Sequence, residues 1–119
     1  MKLRALRGAI TVESNDAEAI LGATEELVGE LLARNALRPD DVVSCIFTCT
    51  EDLDAAFPAE AARRLGLNAV PLLCAREIDV PGALPRVIRL MVHCYMDGDG
   101  QHVYLREAEA LRRDLQGAQ

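Results

Sequence analysis

Hydrophobic and polar positions along the chain change period several times, and each change marks an element. From Lys2 to Val12 they alternate, placing Leu6, Ile10 and Val12 on one face of a strand and Leu3, Ala5, Arg7 and Ala9 on the other. After Ser14-Asn15-Asp16 the spacing turns helical. Ile20, Leu21, Thr24, Leu27, Val28, Leu31 and Leu32 share one face, with Glu18, Glu25, Glu26 and Glu30 mostly off it. Asn15 is the expected N-cap, with Glu18 three residues on in a variant of the capping box. This helix ends near Arg34-Asn35, ahead of Pro39.

Val42 to Cys49 is apolar on both faces and reads as an interior strand. A polar loop from Thr50 to Asp54 closes at Ala56-Phe57-Pro58, and a short helix from Ala59 to Leu65 is stopped by Gly66. Val70 to Cys74 forms a third strand, which Pro71 places at a sheet edge or a strand start. Pro81, Gly82 and Pro85 punctuate a loop from Ala75 to Pro85, and a strand runs from Arg86 to about Tyr95. Asp97-Gly98-Asp99-Gly100 makes a turn. Gln101 to Leu105 is expected to return as the second arm of a hairpin, before a terminal helix from Arg106 to Leu115. The series predicts an α+β fold, a mixed β-sheet with helices packed on one face. The other sheet face is left bare, which predicts oligomerisation. Residues 1–115 read as a single domain, and 116–119 as a flexible C-terminal tail.

Two charges interrupt this pattern. Arg89 sits inside the apolar run Val87-Ile88-Arg89-Leu90-Met91-Val92, where a guanidinium is expected to be buried yet cannot lose its proton. An unpaired buried charge costs several kcal/mol or more, so an anion must meet it, either a carboxylate of the protein or a ligand. Arg7 has small or apolar neighbours, and Gly8 beside it permits a close approach to the backbone. The pair suggests a pocket for a small anion.

Composition narrows the choices. A chain of 119 residues forms one domain; half its residues are hydrophobic, 3% are aromatic and none is tryptophan, so the core is aliphatic. The formal net charge of −6, with no basic stripe, argues against nucleic acid. No segment approaches the roughly 20 apolar residues of a membrane helix, and the first residues lack the apolar run of a signal peptide, which together suggest a cytoplasmic protein. Cys45, Cys49, Cys74 and Cys94 show no CxxC pair and read as small buried hydrophobes. Cys45, Cys49, His93 and His102 lack zinc-ligand spacing, so no metal is expected and both histidines are assigned to structure.

A series of short matches runs through nearly the whole chain. It begins with Arg4-x-x-Arg7-Gly8-Ala9-x-Thr11-Val12-Glu13 and continues with Thr50-x-Asp52-Leu53-x-Ala55-x-Phe57-Pro58-Ala59-x-Ala61-x-Arg63. Val70-Pro71, Cys74-x-x-Glu77, Ile88-Arg89, His102-Val103-Tyr104-Leu105 and Leu111-Arg112 complete it. In this order the matches resemble the monofunctional chorismate mutases of the homotrimeric pseudo-α/β-barrel class. The resemblance implies isomerisation of chorismate to prephenate, without a cofactor, on the path to phenylalanine and tyrosine. It implies a homotrimer with sites at the subunit interfaces. Arg7 and Arg89 would bind the substrate carboxylates, with Arg89 also at the ether oxygen. Glu77, beside Cys74, would receive the ring hydroxyl, and Tyr104 would meet the enolpyruvyl carboxylate. Phe57, Arg63 and Arg112 would line the mouth and Leu111 would bind substrate, with Phe57, Arg63 and Cys74 contributed by the neighbouring chain.

The chemistry suits the residues. A pericyclic step needs a compact substrate conformer and positive charge near the breaking C–O bond, not a nucleophile or a metal. The chain departs from the family pattern in three places. The turn from Asp97 to Gln101 is shorter, Arg113 stands where Leu-Arg-Pro-Asp-Leu has proline, and Leu73 replaces a more polar residue. Each site residue also has a plainer reading. Arg89 could pair with a core carboxylate, Glu77 could be a solvated loop residue, and Arg7, Arg63 and Arg112 could be surface charges. Phe57 could be a hydrophobic lead into a helix, and Tyr104 a core residue with its hydroxyl at the rim. A trimeric imine deaminase-like enzyme and a non-catalytic trimer binding small carboxylates are the alternatives at the level of function.

Overall fold

The computed structural model describes residues 1–111. Its strands are β1 (Lys2–Thr11), β2 (Val42–Cys49), β3 (Leu72–Arg76), β4 (Val87–Met96) and β5 (Val103–Leu105); its helices are α1 (Ala17–Arg34) and α2 (Ala59–Arg64). The strands form one sheet in the order β3-β2-β4-β1-β5. Central β4 runs antiparallel to both neighbours, from Lys2↔Met96 to Thr11↔Val87 on one side and Thr48↔Arg89 on the other. Both edge strands are parallel to their neighbours, β3 to β2 and β5 to β1. β3 is an edge strand, starting at Leu72 directly after Pro71, so both of the positions that Pro71 allowed are met, with the strand shifted two residues along from Val70–Cys74.

One face of the sheet packs against the helices. Leu6, Ile10, Phe47, Ile88, Leu90 and Val92 meet Ile20, Leu27, Val28 and Leu31 of α1, while Ala59 and Ala62 extend the same core under α2. The apolar stripe of α1 is as its spacing predicted, but its cap is not. Asp16 is the N-cap, accepting a hydrogen bond from the Ala19 amide at 2.9 Å and another from the Ser14 hydroxyl at 2.6 Å. The Ser14 bond, then that of Ala19, holds the Asp16 carboxyl below its usual range. Asn15 is engaged elsewhere. Its side-chain oxygen accepts from the amides of Asp54 and Ala55, and its amide group donates to the Asp54 carboxylate at 2.8 Å. Either residue can cap a helix; the tertiary partner of Asn15 decides between them.

Gly8 does bring another element close to the backbone, on the helix side. A Cβ at this position would lie 3.1 Å from both Leu27 Cδ1 and the Val103 carbonyl oxygen, so the glycine seats α1 and β5 against β1.

β5 departs from the expected hairpin. Both edges of β4 are already occupied, by β1 and β2, so the chain passes the end of β1 and pairs on its outer side. Gly100 makes the passage possible with a φ of +78°, at a point where a Cβ would fall 2.6 Å from Leu6 Cδ2. Asn35 ties the crossing to α1: its amide group donates to the Leu31 and Gln101 carbonyls, and its side-chain oxygen accepts from the Gln101 amide at 2.6 Å. β4 begins at Val87, one residue later than expected, because Arg86 has a φ of +50° and donates its amide to the Asp52 carboxylate. After β5 a 3-10 turn, Arg106–Ala108, leads into helical residues through 111. The rest of the expected terminal helix, with Arg112, Arg113 and the tail at 116–119, lies outside the described residues.

The opposite sheet face carries no helix. Leu3 and Leu73 stand 55% and 61% exposed on it, with Ile46 and Tyr95 between them. Among the described residues no helix is long and apolar enough to cross a membrane.

Candidate active site

Strand register assembles the site on the uncovered face. Tyr104 of β5, Ala9 of β1, Arg89 of β4 and Thr48 of β2 form one row across the sheet. The next row holds Arg7, Met91 and Ile46. Arg7 and Arg89 are thus diagonal neighbours on adjacent strands. Together with Ile46, Thr48, Leu90 and Met91 they line a hollow of about 300 Å³, at the small end of the range for ligand pockets.

The expected burial of Arg89 is corrected here. Its side chain is 45% exposed. The apolar residues flanking it in sequence divide between two faces: Ile88 and Leu90 enter the core, whereas Arg89 and Met91 face the bare side. Apolar flanks alone cannot tell a covered face from an uncovered one.

A protein carboxylate meets this arginine. Just beyond β3, the Glu77 amide donates to the Cys49 carbonyl at 2.9 Å, extending the pairing with β2 by one step and turning the Glu77 side chain onto the open face. Glu77 Oε2 lies 3.1 Å from Arg89 Nε and accepts a 2.7 Å hydrogen bond from the Thr48 hydroxyl. Glu77 also borders a second, acidic hollow of about 400 Å³, with Thr50, Glu51, Asp52 and Asp79 around it. Arg7 is half-buried, and among the described residues no carboxylate pairs with it. Its backbone amide donates to His102 Nδ1 at 3.0 Å.

Tyr104 closes one end of the row. It packs with Leu84 and Leu111 over Ala9, Val87 and Ala108, so Leu111 belongs to the same corner. Phe57, Arg63 and Cys74 are elsewhere. Cys74 is registered with Phe47 and so points to the helix side of β3; with Phe57 it lines a third hollow, of about 340 Å³. Phe57 is 75% exposed, and Arg63 is exposed on the last turn of α2. Within one chain, therefore, Arg7, Arg89, Glu77, Tyr104 and Leu111 gather on one side of the sheet, while Phe57, Arg63 and Cys74 stand apart from them.

Two further residues shape the site. Thr48 carries no signal as a lone threonine in a strand; only the β2–β4 register and the position of Glu77 bring it forward. His102, assigned to structure, supports Arg7 through its ring nitrogen. Burial, and then the Arg7 charge, lowers the His102 pKa below its usual 6.5. Burial likewise pushes the Cys45 thiol up to about 12 and that of Cys49 to about 11, so neither is a nucleophile near neutrality. Among the described residues no three His, Cys, Asp or Glu side chains converge as metal ligands.

The depressed His102 pKa has a consequence for stability. The unfolded imidazole protonates near 6.5, whereas the folded one stays neutral to lower pH. Below 6.5 the unfolded state therefore binds more protons, and the stabilising contribution, complete above 6.5, is lost as pH falls toward the folded value. Urea midpoints at pH 7.5 and 5.5, taken at one protein concentration, should fall more for the wild type than for His102→Asn, whose amide oxygen still accepts. Equal losses would remove His102 as the source.

The architecture is a single sheet with helices on one face and a pair of arginines beside a small hollow on the other. Residues 3–115 match the family model for chorismate mutase type I. The chain is 52% identical over 121 residues to chorismate mutase AroH of Thermus thermophilus, covering 98% of this chain and 99% of that one. It is 41% identical over 119 residues to chorismate mutase AroH of Bacillus subtilis, covering 97% and 94%. The solved chorismate mutase from Clostridium thermocellum superimposes with a TM-score of 0.87 at 49% identity, over 89% of this chain and 97% of that one. The chain belongs to the chorismate mutase type I family.

Proposed function

We propose that this protein isomerises chorismate to prephenate in the biosynthesis of phenylalanine and tyrosine, and that it does so as a cytoplasmic homotrimer. The carrying observation is the hollow between Arg7 and Arg89, with the Glu77 carboxylate at its side. In the Claisen rearrangement the ether C–O bond breaks as a C–C bond forms, in one cyclic shift of electron pairs, and no proton moves. Arg7 and Arg89 hold the two carboxylates and so favour the folded conformer in which the reacting carbons meet. Arg89 also faces the ether oxygen, where negative charge grows toward the transition state, so its guanidinium binds that state better than the ground state. Glu77 accepts the ring hydroxyl, and Tyr104 meets the enolpyruvyl carboxylate.

Phe57, Arg63 and Cys74 complete each site from the adjacent subunit, and Leu111 contacts the substrate. Two observations support sharing: these three residues stand apart from the arginine hollow within one chain, and the face that bears the hollow is apolar and uncovered. A patch of this kind marks an association surface. The four free cysteines suit a reducing compartment.

The deciding assay follows chorismate loss in the ultraviolet with purified protein, with prephenate confirmed by its acid conversion to phenylpyruvate. Turnover without added metal or cofactor is the expected result; folded protein without turnover would redirect the reading to carboxylate binding or imine deamination. A second arm tests sharing. Arg89→Ala and Arg63→Ala chains, each impaired alone, should regain activity when refolded together in equal amounts, because about a quarter of the interfaces would then combine two intact halves. Absence of any regain in verified mixed oligomers would place each site within one chain.

A further inference from the structure

Glu77 and Arg89 could neutralise each other more fully than they do. A carboxylate facing a guanidinium tends toward a two-pronged fork, with both oxygens engaged. Here the approach is through Oε2 and Nε, at 3.1 Å. The reason is on the neighbouring strand. Thr48 is registered with Arg89, and its hydroxyl donates to that same Oε2 at 2.7 Å. The Glu77 backbone is meanwhile fixed by its amide bond to the Cys49 carbonyl. With its backbone anchored and Oε2 shared between the Thr48 hydroxyl and Arg89 Nε, the carboxylate is held in this orientation. Among the described residues, no hydrogen bond engages Glu77 Oε1 or the Nη atoms of Arg89.

We propose that Thr48 is a positioning residue, whose hydroxyl holds Glu77 one-sided against Arg89 so that Oε1 and the Nη atoms stay available to the substrate. This rests on the roles given above to Glu77 and Arg89. Without the hydroxyl, the free enzyme closes the fork, and substrate must open it before binding. The cost therefore falls on KM more than on kcat, since the contacts of Glu77 and Arg89 with the substrate are the same once the complex has formed.

Thr48→Val keeps the branched shape that suits the strand and removes only the donor. It should lower kcat/KM about tenfold, mostly through KM, as expected for losing a hydrogen bond to a charged group. Thr48→Ser should restore most of the loss. In a Glu77→Ala background, Thr48→Val should cost nothing further, because the group it positions is gone. Equal losses for valine and serine, or an undiminished loss in the Glu77→Ala background, would mean that Thr48 acts through packing and would overturn the proposal. An impaired Glu77→Ala with an unaffected Thr48→Val would overturn it while leaving the Glu77 role intact. A fully active Glu77→Ala would instead remove the reading on which it rests. Should the valine variant fail to fold, Thr48→Ala with serine rescue reads the same loss.

Discussion

Arg89→Lys is expected to lower kcat/KM by about 10²–10³-fold while leaving the fold in place, the magnitude typical of removing one donor to a developing oxyanion. Lysine keeps the charge but loses the planar fork. In the free protein Arg89 uses Nε for Glu77, which leaves its outer nitrogens to reach a carboxylate and the ether oxygen together. A single ammonium cannot keep the Glu77 contact and serve both. The loss should appear in kcat as well as in KM, since the ether-oxygen interaction strengthens only as the bond breaks. Stability should change little, because the side chain lies on the bare face with 45% of its surface exposed and fills no core volume. Steady-state kinetics and a thermal melt decide the matter together. Near-wild-type turnover would end the ether-oxygen role.

The largest effect on stability is expected at Phe47. It is the largest of the fully buried side chains and projects from β2 into the core between Cys74 of β3 and Leu90 of β4, its partners in register. Phe47→Ala should cost about 3–5 kcal/mol, from lost burial together with the cavity left behind. Domains of this size are stable by about 5–15 kcal/mol, so the variant should unfold near the lower edge of folding conditions. Urea denaturation at fixed protein concentration measures the difference. A cost below about 1 kcal/mol would show that the surrounding residues collapse into the space, contrary to a close-packed β2–α1 core.

Much of this architecture is legible in the sequence because it follows from local periodicity. The stripe of α1, the alternation in β1 and the edge position of β3 each rest on a few neighbouring residues. Arg7 and Arg89 stand out for a related reason: each breaks an apolar pattern in its strand. What escapes is decided at long range. β5 has only three residues, and its partner is β1 rather than the strand before it, a choice made by the occupied edges of β4. Asn15 and Asp16 are equal candidates for a cap until Asp54 and Ala55 claim Asn15. The apolar run around Arg89 implies burial, whereas the side chain faces a surface that the single chain leaves open. Thr48 has no local signature at all, since its part in the site exists only where β2, β4 and the residue after β3 converge.

The position of β1 also governs how the chain must assemble. Its two neighbours are β4 and β5, so residues 2–11 find their partners only at 87–96 and 103–105. During synthesis β1 emerges well before both of its partners, with both of its hydrogen-bonding edges open in the meantime. Such distant pairings carry a large loop-closure entropy and make folding slow compared with helical domains of equal size. Open edges in a waiting strand also invite contact with other chains. Lys2, Arg4 and Arg7 put three positive charges on that strand, and mutual repulsion between copies is a known protection for exposed edges. Arg7 thus adds to the positive charge that β1 carries while it waits for its partners.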